Sequence, residues 1–309
     1  AEDEWDRAHD YFAEALNLAG RIGDIRAMAD LSSNLGTTCE ERGDWSRALA
    51  YYRRAIELHQ KVQADSYGRK VAMANLAQLL TRQGELAEAE RVLEDVQALA
   101  GQNPTPDLGF VLGDCRIQFL LRAGRLEPAR KAIAETFLLV RRERDPRKLA
   151  RLYTLASELR LANGDFARAA EDARRTLVRL GDRASSKEYA VALRSSGLAK
   201  CMLDQADRGT QEIRRSIDLL RDIGSKHELA LSLLASAQAL TKHGLREKAV
   251  DLTLPLPFRP VAQQDVSEAL ANLKEAQVIF RSVGARPDAE RADQLMETFT
   301  HLSATMRLK

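Results

Sequence analysis

The sequence predicts an all-α fold, a solenoid of antiparallel helix pairs, and three observations carry that prediction. Glycines recur at a nearly constant interval, at Gly43, Gly84, Gly124 and Gly164. Each glycine separates two stretches whose apolar residues keep helical spacing. Five residues after each comes an alanine: Ala48, Ala89, Ala129 and Ala169. The same phase continues through Asp204 to Gly244 and runs back to Asp3, with Ala8 five residues on. A fixed period of about 40 residues is the signature of a repeat architecture, whose units each add one pair of helices.

Taken in order, residues 1–22 carry the pattern of a second helix alone, with Ala8, Phe12, Ala15 and Leu16 as its stripe. This half-unit start leads to the expectation that the chain is cut from a longer protein or packs against another chain. In the first full unit Leu31, Leu35, Gly36 and Cys39 form one stripe, and Ala48, Tyr52, Ala55 and Ile56 the next. Glycine between them suits the left-handed turn that ends a helix. Asp44, Glu85 and Asp165 then open the following helix, where a carboxylate caps free N–H groups and favours the dipole. Gly36, Ala48, Ala77, Ala89 and Ala129 keep the crossing point of each pair small. Later units depart from the pattern: Gly209 replaces the crossing alanine, and Arg160 and Lys200 stand where a bulky apolar residue is expected.

The phase places the second helix of the sixth unit after Gly244, and residues 245–252 begin like one. Pro255, Pro257 and Pro260 then stop it, since no α-helix continues through three prolines at that spacing. Helical pattern resumes near Asp265, with Ala269, Leu273 and Ala276 expected to pack on Leu233, Ala237 and Leu240. The interrupting stretch alternates Leu254, Leu256 and Phe258 and is read as a loop or as an extended segment docking in a groove. From Pro287 one unpaired helix closes the chain, with proline in its first turn. The domain organisation read from this is a single solenoid over 1–309. It has a half-repeat start (1–22), repeats (23–243), an interrupted repeat (244–286) and a closing helix (287–306).

Composition excludes disorder: 45% of the 309 residues are hydrophobic and 30% charged. The net charge of +2 makes no case for nucleic acid or an anionic membrane. The densest basic cluster is Arg141, Arg142, Arg144, Arg147 and Lys148, read as a helix end and loop or as a docking patch. Cys39, Cys115 and Cys201 are far apart and lie in helical patterns, which points to buried thiols, a reducing compartment and a cytoplasmic location. No run of about 18 apolar residues is long enough for a membrane span. No phosphate-binding loop, zinc motif or nucleophile elbow occurs, and the five histidines are scattered. His227-Glu228 reads as an exposed helix start. No catalytic residue, cofactor or metal is expected.

The first full unit, residues 34–58, resembles the tetratricopeptide repeat (TPR). Leu35-Gly36, Cys39 in the usual aromatic place, Ala48, Tyr52 and Ala55 stand at that family's positions. The units here exceed that family's common length of about 34 residues. Long units of this sort resemble those of MalT-like and LuxR-type bacterial regulators, kinesin light chain and LGN-type scaffolds. The resemblance implies a right-handed superhelical solenoid of about six to seven repeats whose first helices line a concave face. It implies a groove of polar positions: Ser33, Asn34, Thr37 and Glu40 in the first unit, Asn75, Gln78 and Thr81 in the second. In phase with these follow Asp114, Gln118, Arg151, Glu158 and Arg194. Asn34 and Asn75 match the position from which an amide bonds a bound peptide's backbone.

The function expected is protein or peptide binding by a sensor or scaffold segment of a larger, bacterial signalling or transcription-regulatory protein. A free-standing, self-associating assembly scaffold is the alternative class, and a small-molecule effector sensor a third reading. Homo-oligomers fit the second. Far-ultraviolet circular dichroism should show a helical spectrum without a β component; a substantial β signal overturns the fold class.

Overall fold

The computed structural model describes residues 2–62, 66–101, 104–141, 145–181, 186–249 and 263–307. Among these residues every regular element is a helix, and there are fourteen. They are α1 (Glu2–Ile22), α2 (Ile25–Arg42), α3 (Trp45–Val62), α4 (Tyr67–Gln83), α5 (Leu86–Ala100), α6 (Pro106–Arg122) and α7 (Leu126–Val140). Then come α8 (Pro146–Ala162), α9 (Phe166–Leu180), α10 (Lys187–Met202), α11 (Ala206–Ile223), α12 (Lys226–Ala249), α13 (Gln263–Val283) and α14 (Arg286–Arg307). The even-numbered helices pack on one another in series, α2 on α4 and onward to α14. The odd-numbered helices from α3 to α13 lie outside, each against its own partner and the next even-numbered helix, and α1 packs on α2.

The turns follow the phase of the repeat. Gly43, Gly84, Gly124 and Gly164 all have φ between 69 and 86°. In each turn the next residue's N–H reaches back to a carbonyl five residues earlier: Asp44 to Cys39 (2.8 Å), Glu85 to Leu80 (2.9 Å), Arg125 to Leu120 (2.8 Å) and Asp165 to Arg160 (2.9 Å). This satisfies carbonyls that a helix end would leave unpaired. Asp204, which the phase puts in the glycine place, adopts the same conformation at φ 64°, as a short polar side chain tolerates. Asp44 and Asp165 accept bonds from Arg47 N–H (3.2 Å) and Arg168 N–H (3.4 Å). Glu85 makes no such cap.

Two further expectations change. The first helix of the sixth unit does not stop at Gly244: α12 runs on through it to Ala249, because a lone glycine costs a helix only about 1 kcal/mol. Leu254, Leu256 and Phe258 lie outside the described residues. Beyond them α13 takes the partner place on α12, with Leu233, Ala237, Ala269, Leu273 and Ala276 all buried and the Asn272 amide donating to Ser236 Oγ at 3.2 Å. His227, read as exposed, is instead enclosed: its ring lies 5.0 Å from Trp45 and 5.9 Å from Phe280, centroid to centroid. The superhelix curls far enough to bring the sixth unit against the first, a contact that periodicity does not encode.

The irregular positions have local reasons. Arg160 pairs with Asp172, and Lys200 Nζ meets Glu212 Oε1 at 2.5 Å. In the first unit that place belongs to Cys39, which is buried. Leu80 and Leu120 hold that place in the second and third units and are buried. Gly209 faces Gly197 across the α10–α11 crossing, so closely that a Cβ on Gly209 would stand 2.6 Å from the Gly197 carbonyl oxygen. The three cysteines are buried thiols.

The ends of the superhelix meet. The α13–α14 turn rests on the turns of the first units: Pro287 lies over Gly84, Val283 over Gly43, and Arg286 pairs with Glu85. At the centre of this closure Asp288, 1% exposed, receives both guanidinium nitrogens of Arg122 at 2.7 Å and His227 Nε2 at 3.3 Å. Burial alone would raise the Asp288 carboxyl, but the bonds from His227 and Arg122 outweigh it and hold it well below the usual aspartate range.

Two outcomes follow for stability. Gly209→Ala, although alanine is the repeat's own residue there and a better helix former, should destabilise by about 1–3 kcal/mol in chemical denaturation. Arg122→Met should cost about 3 kcal/mol by the same measurement, because it leaves a buried carboxylate short of a partner. The Asp288 contribution has a definite pH sense. Its carboxyl titrates lower folded than unfolded, so the stabilisation is complete above the ordinary aspartate value of about 3.9 and shrinks as pH falls below it. Asp288→Asn should flatten that acid limb of the stability profile; an unchanged limb would refute the assignment.

Candidate functional site: the channel between the first helices

Because the first helices form the inner row, their residues that turn away from the outer helices face the space inside the curl. Two cavities lie there, one of about 610 Å³ and one of about 230 Å³. They adjoin, sharing Arg82, Arg151, Val191 and Glu228 in their walls. The larger is lined by Leu161, Leu198, Leu231 and Leu234 from α8, α10 and α12. It is lined as well by arginines and carboxylates from α4, α6, α8, α10, α12 and α14.

Thr37, Asn75, Gln78, Asp114 and Arg151 line the smaller cavity. Gln118, Arg151, Glu158 and Arg194 line the larger. Ser33 and Asn34 line neither; they lie a turn nearer the start of α2, with Asn34 exposed. Four further residues of the wall come from signals the repeat phase does not single out: Arg82, Arg122, His227 and Glu228. Arg82 and Arg122 are one repeat apart and so occupy one place on consecutive first helices. That spacing is visible in the sequence, whereas their direction into the channel depends on the curl.

The charges are organised in pairs. Arg82 Nη1 meets Glu40 Oε1 at 2.5 Å. Arg151 Nε donates to Asp114 Oδ1 at 2.7 Å, and Gln118 Nε2 to Asp114 Oδ2 at 2.6 Å. Arg194 Nη1 donates to Glu228 Oε2 at 2.8 Å and to the Glu228 carbonyl at 3.2 Å. Burial would raise the Glu228 carboxyl, but Arg194, His227 and Arg82 together hold it well below the usual range. Glu158 is different. Its closest cation, Arg194, is 3.9 Å away, so burial wins and its carboxyl is raised despite Arg151 and Arg194. Tyr52, buried beside Glu40, has its hydroxyl pushed well above the usual value, first by burial and then by that carboxylate.

This arrangement offers hydrogen-bond donors and acceptors at fixed places beside leucine side chains, which suits the recognition of an extended chain or a compact ligand. Among the described residues no group of three His, Cys, Asp or Glu side chains is placed to hold a metal ion, and no helix is long and apolar enough to cross a membrane.

Residues 26–102 match the tetratricopeptide repeat model. No curated protein matches the sequence. Among solved structures, a Rap protein complexed with Competence and Sporulation Factor superposes with a TM-score of 0.58 at 12% identity, covering 89% of this chain and 76% of its own. BtubC (BKLC) from P. vanneervenii gives a TM-score of 0.48 at 14% identity, covering 85% and 92%. Residues 26–102 are thus similar in sequence to tetratricopeptide repeats, and the described chain carries a TPR-like, all-helical repeat fold.

Proposed function

We propose that this chain is a non-catalytic binding module that holds a protein or peptide segment along the channel of its first helices. The observation that carries the reading is the channel itself. Fixed amides and paired charges on α4, α6, α8 and α10 line two adjoining cavities, the larger of which also carries leucines, in a fold that a Rap protein also uses in a complex with another molecule. A bound chain loses water from its own backbone groups, and Asn75 and Gln78 are the neutral side chains placed to replace it. The context proposed is a sensor or scaffold segment of a larger bacterial signalling or regulatory protein in the cytoplasm. The three buried thiols support that compartment.

A second reading, a small-molecule effector site, is favoured by one observation. The larger cavity, at about 610 Å³, falls in the range of small-ligand pockets.

The test is selection of binders from a random peptide library, followed by titration of the chosen peptide into variants. Asn75→Ala with Gln78→Ala should weaken binding by about 1–3 kcal/mol. Adding Asn34→Ala asks whether the neighbouring face of α2 contributes. Binding that survives these changes and Arg151→Ala would move the site off the channel. Failure to select any peptide, with metabolite-sized ligands raising the melting temperature, would favour the effector reading.

A further inference from the structure

The two cavities of the channel follow one another along the inner helices. On α10, Glu188 lines the smaller cavity and Arg194 and Leu198 the larger, with Val191 shared between them. On α8 the order is Thr154 and then Glu158 and Leu161, and on α4 it is Asn75 and then Thr81. The earlier turns of these helices therefore face the smaller cavity and the later turns the larger. From Glu188 to Leu198, α10 covers about 15 Å at the α-helical rise. The channel thus has an axis, and its two ends can be told apart.

They differ in charge. Most of the ionised groups are closed into pairs within the chain: Glu40 with Arg82, Glu41 with Lys187, Asp114 with Arg151, and Glu228 with Arg194. In the smaller cavity Glu188 is left over, exposed and without a cationic partner among the described residues. Lys187, beside it in sequence, is taken by Glu41. In the larger cavity Arg291 is left over, exposed in the second turn of α14 and without an acidic partner among the described residues. Asp288, one turn before it, is committed to Arg122 and His227. Glu158 stands outside the close pairs, and burial raises its carboxyl, which draws it toward its neutral form. One end of the channel therefore carries an unmatched carboxylate and the other an unmatched guanidinium.

We infer that the occupant of the channel is a peptide segment that is itself charged at both ends, with a cationic group seated at Glu188 and a carboxylate at Arg291. This rests on the reading of the channel as a peptide site, and it adds the chemistry of the segment and the direction in which it lies. The closed pairs along the middle offer hydrogen-bond partners but no net charge, so the polarity of the ligand is decided at the two ends. A segment lying the other way would set like charges together at each end, which selects one direction. Both end groups are exposed, so each attraction is modest and weakens with salt.

The experiment begins with peptides selected on the full chain from a random library with free ends. The selected peptides should be enriched in sequences that present both a cation and a carboxylate. The tightest of them is then titrated into the wild type, Glu188→Gln and Arg291→Gln. Both positions are exposed, so thermal melting of the variants should stay as in the wild type. Neutralising the peptide's cation should weaken binding to the wild type by about threefold to tenfold and leave binding to Glu188→Gln unchanged. Neutralising its carboxylate should do the same for the wild type and Arg291→Gln. Amidating the peptide's C-terminus and replacing its acidic side chains one at a time tell a terminal carboxylate from a side-chain one. If no peptide is selected, the reading of the channel as a peptide site falls and this inference with it. If peptides bind the channel without a charge preference, the inference falls alone. It falls alone also if neutralising either end weakens binding equally in the wild type and in the matching variant.

Discussion

The buried carboxylate of Asp288 is the constraint on which the shape of this molecule depends. A solenoid of stacked pairs is held by neighbour contacts alone and has no intrinsic reason to bring its first units against its last. Here Arg122 and His227 converge on one side chain from the third and sixth units. An isolated carboxylate at that depth would be costly, and removing either donor leaves it so. The curl is therefore set by charge satisfaction as well as by packing. It brings residues of α14 and of the first unit into the lining of the channel, beside the paired arginines of α4, α8 and α10.

The same curl decides what is legible in the sequence. Everything that recurs with the phase of the repeat is readable: the left-handed turns, the crossing residues, and even Asp204 in the glycine place, since phase outranks residue identity there. The placement of Leu233, Ala237, Ala269, Leu273 and Ala276 is readable across an interruption for the same reason. Gly244 misleads because phase alone does not stop a helix: the α12 sequence offers no competing cap there. The Asp288 cluster is not readable at all. Its members are separated by as many as 166 residues, and whether they meet depends on a small rotation between units, summed over the whole array. No local pattern encodes that sum.

The channel shows a corresponding division. Asp114, Gln118, Arg151, Glu158 and Arg194 lie on the inner helices by phase, and their mutual pairing is short-range in the stack. His227 reads as a helix start on the surface, which it is within its own unit. It becomes a wall residue because the first unit's Trp45 lies on top of it.

The exchange of apolar contacts for ion pairs at Arg160–Asp172 and Lys200–Glu212 has a consequence for how such a chain can change over time. In each pair both partners belong to one unit, 12 residues apart in the second case, so the unit carries its own neutralising charge. Duplication or loss of such a unit moves this acid and this base together and leaves neither of the two without its partner. The Arg122–Asp288 pair has the opposite property. Inserting or deleting a unit between its members alters the angle at which they meet. The array is therefore free to vary in the identity of its units, while their number is held by the contacts between its ends.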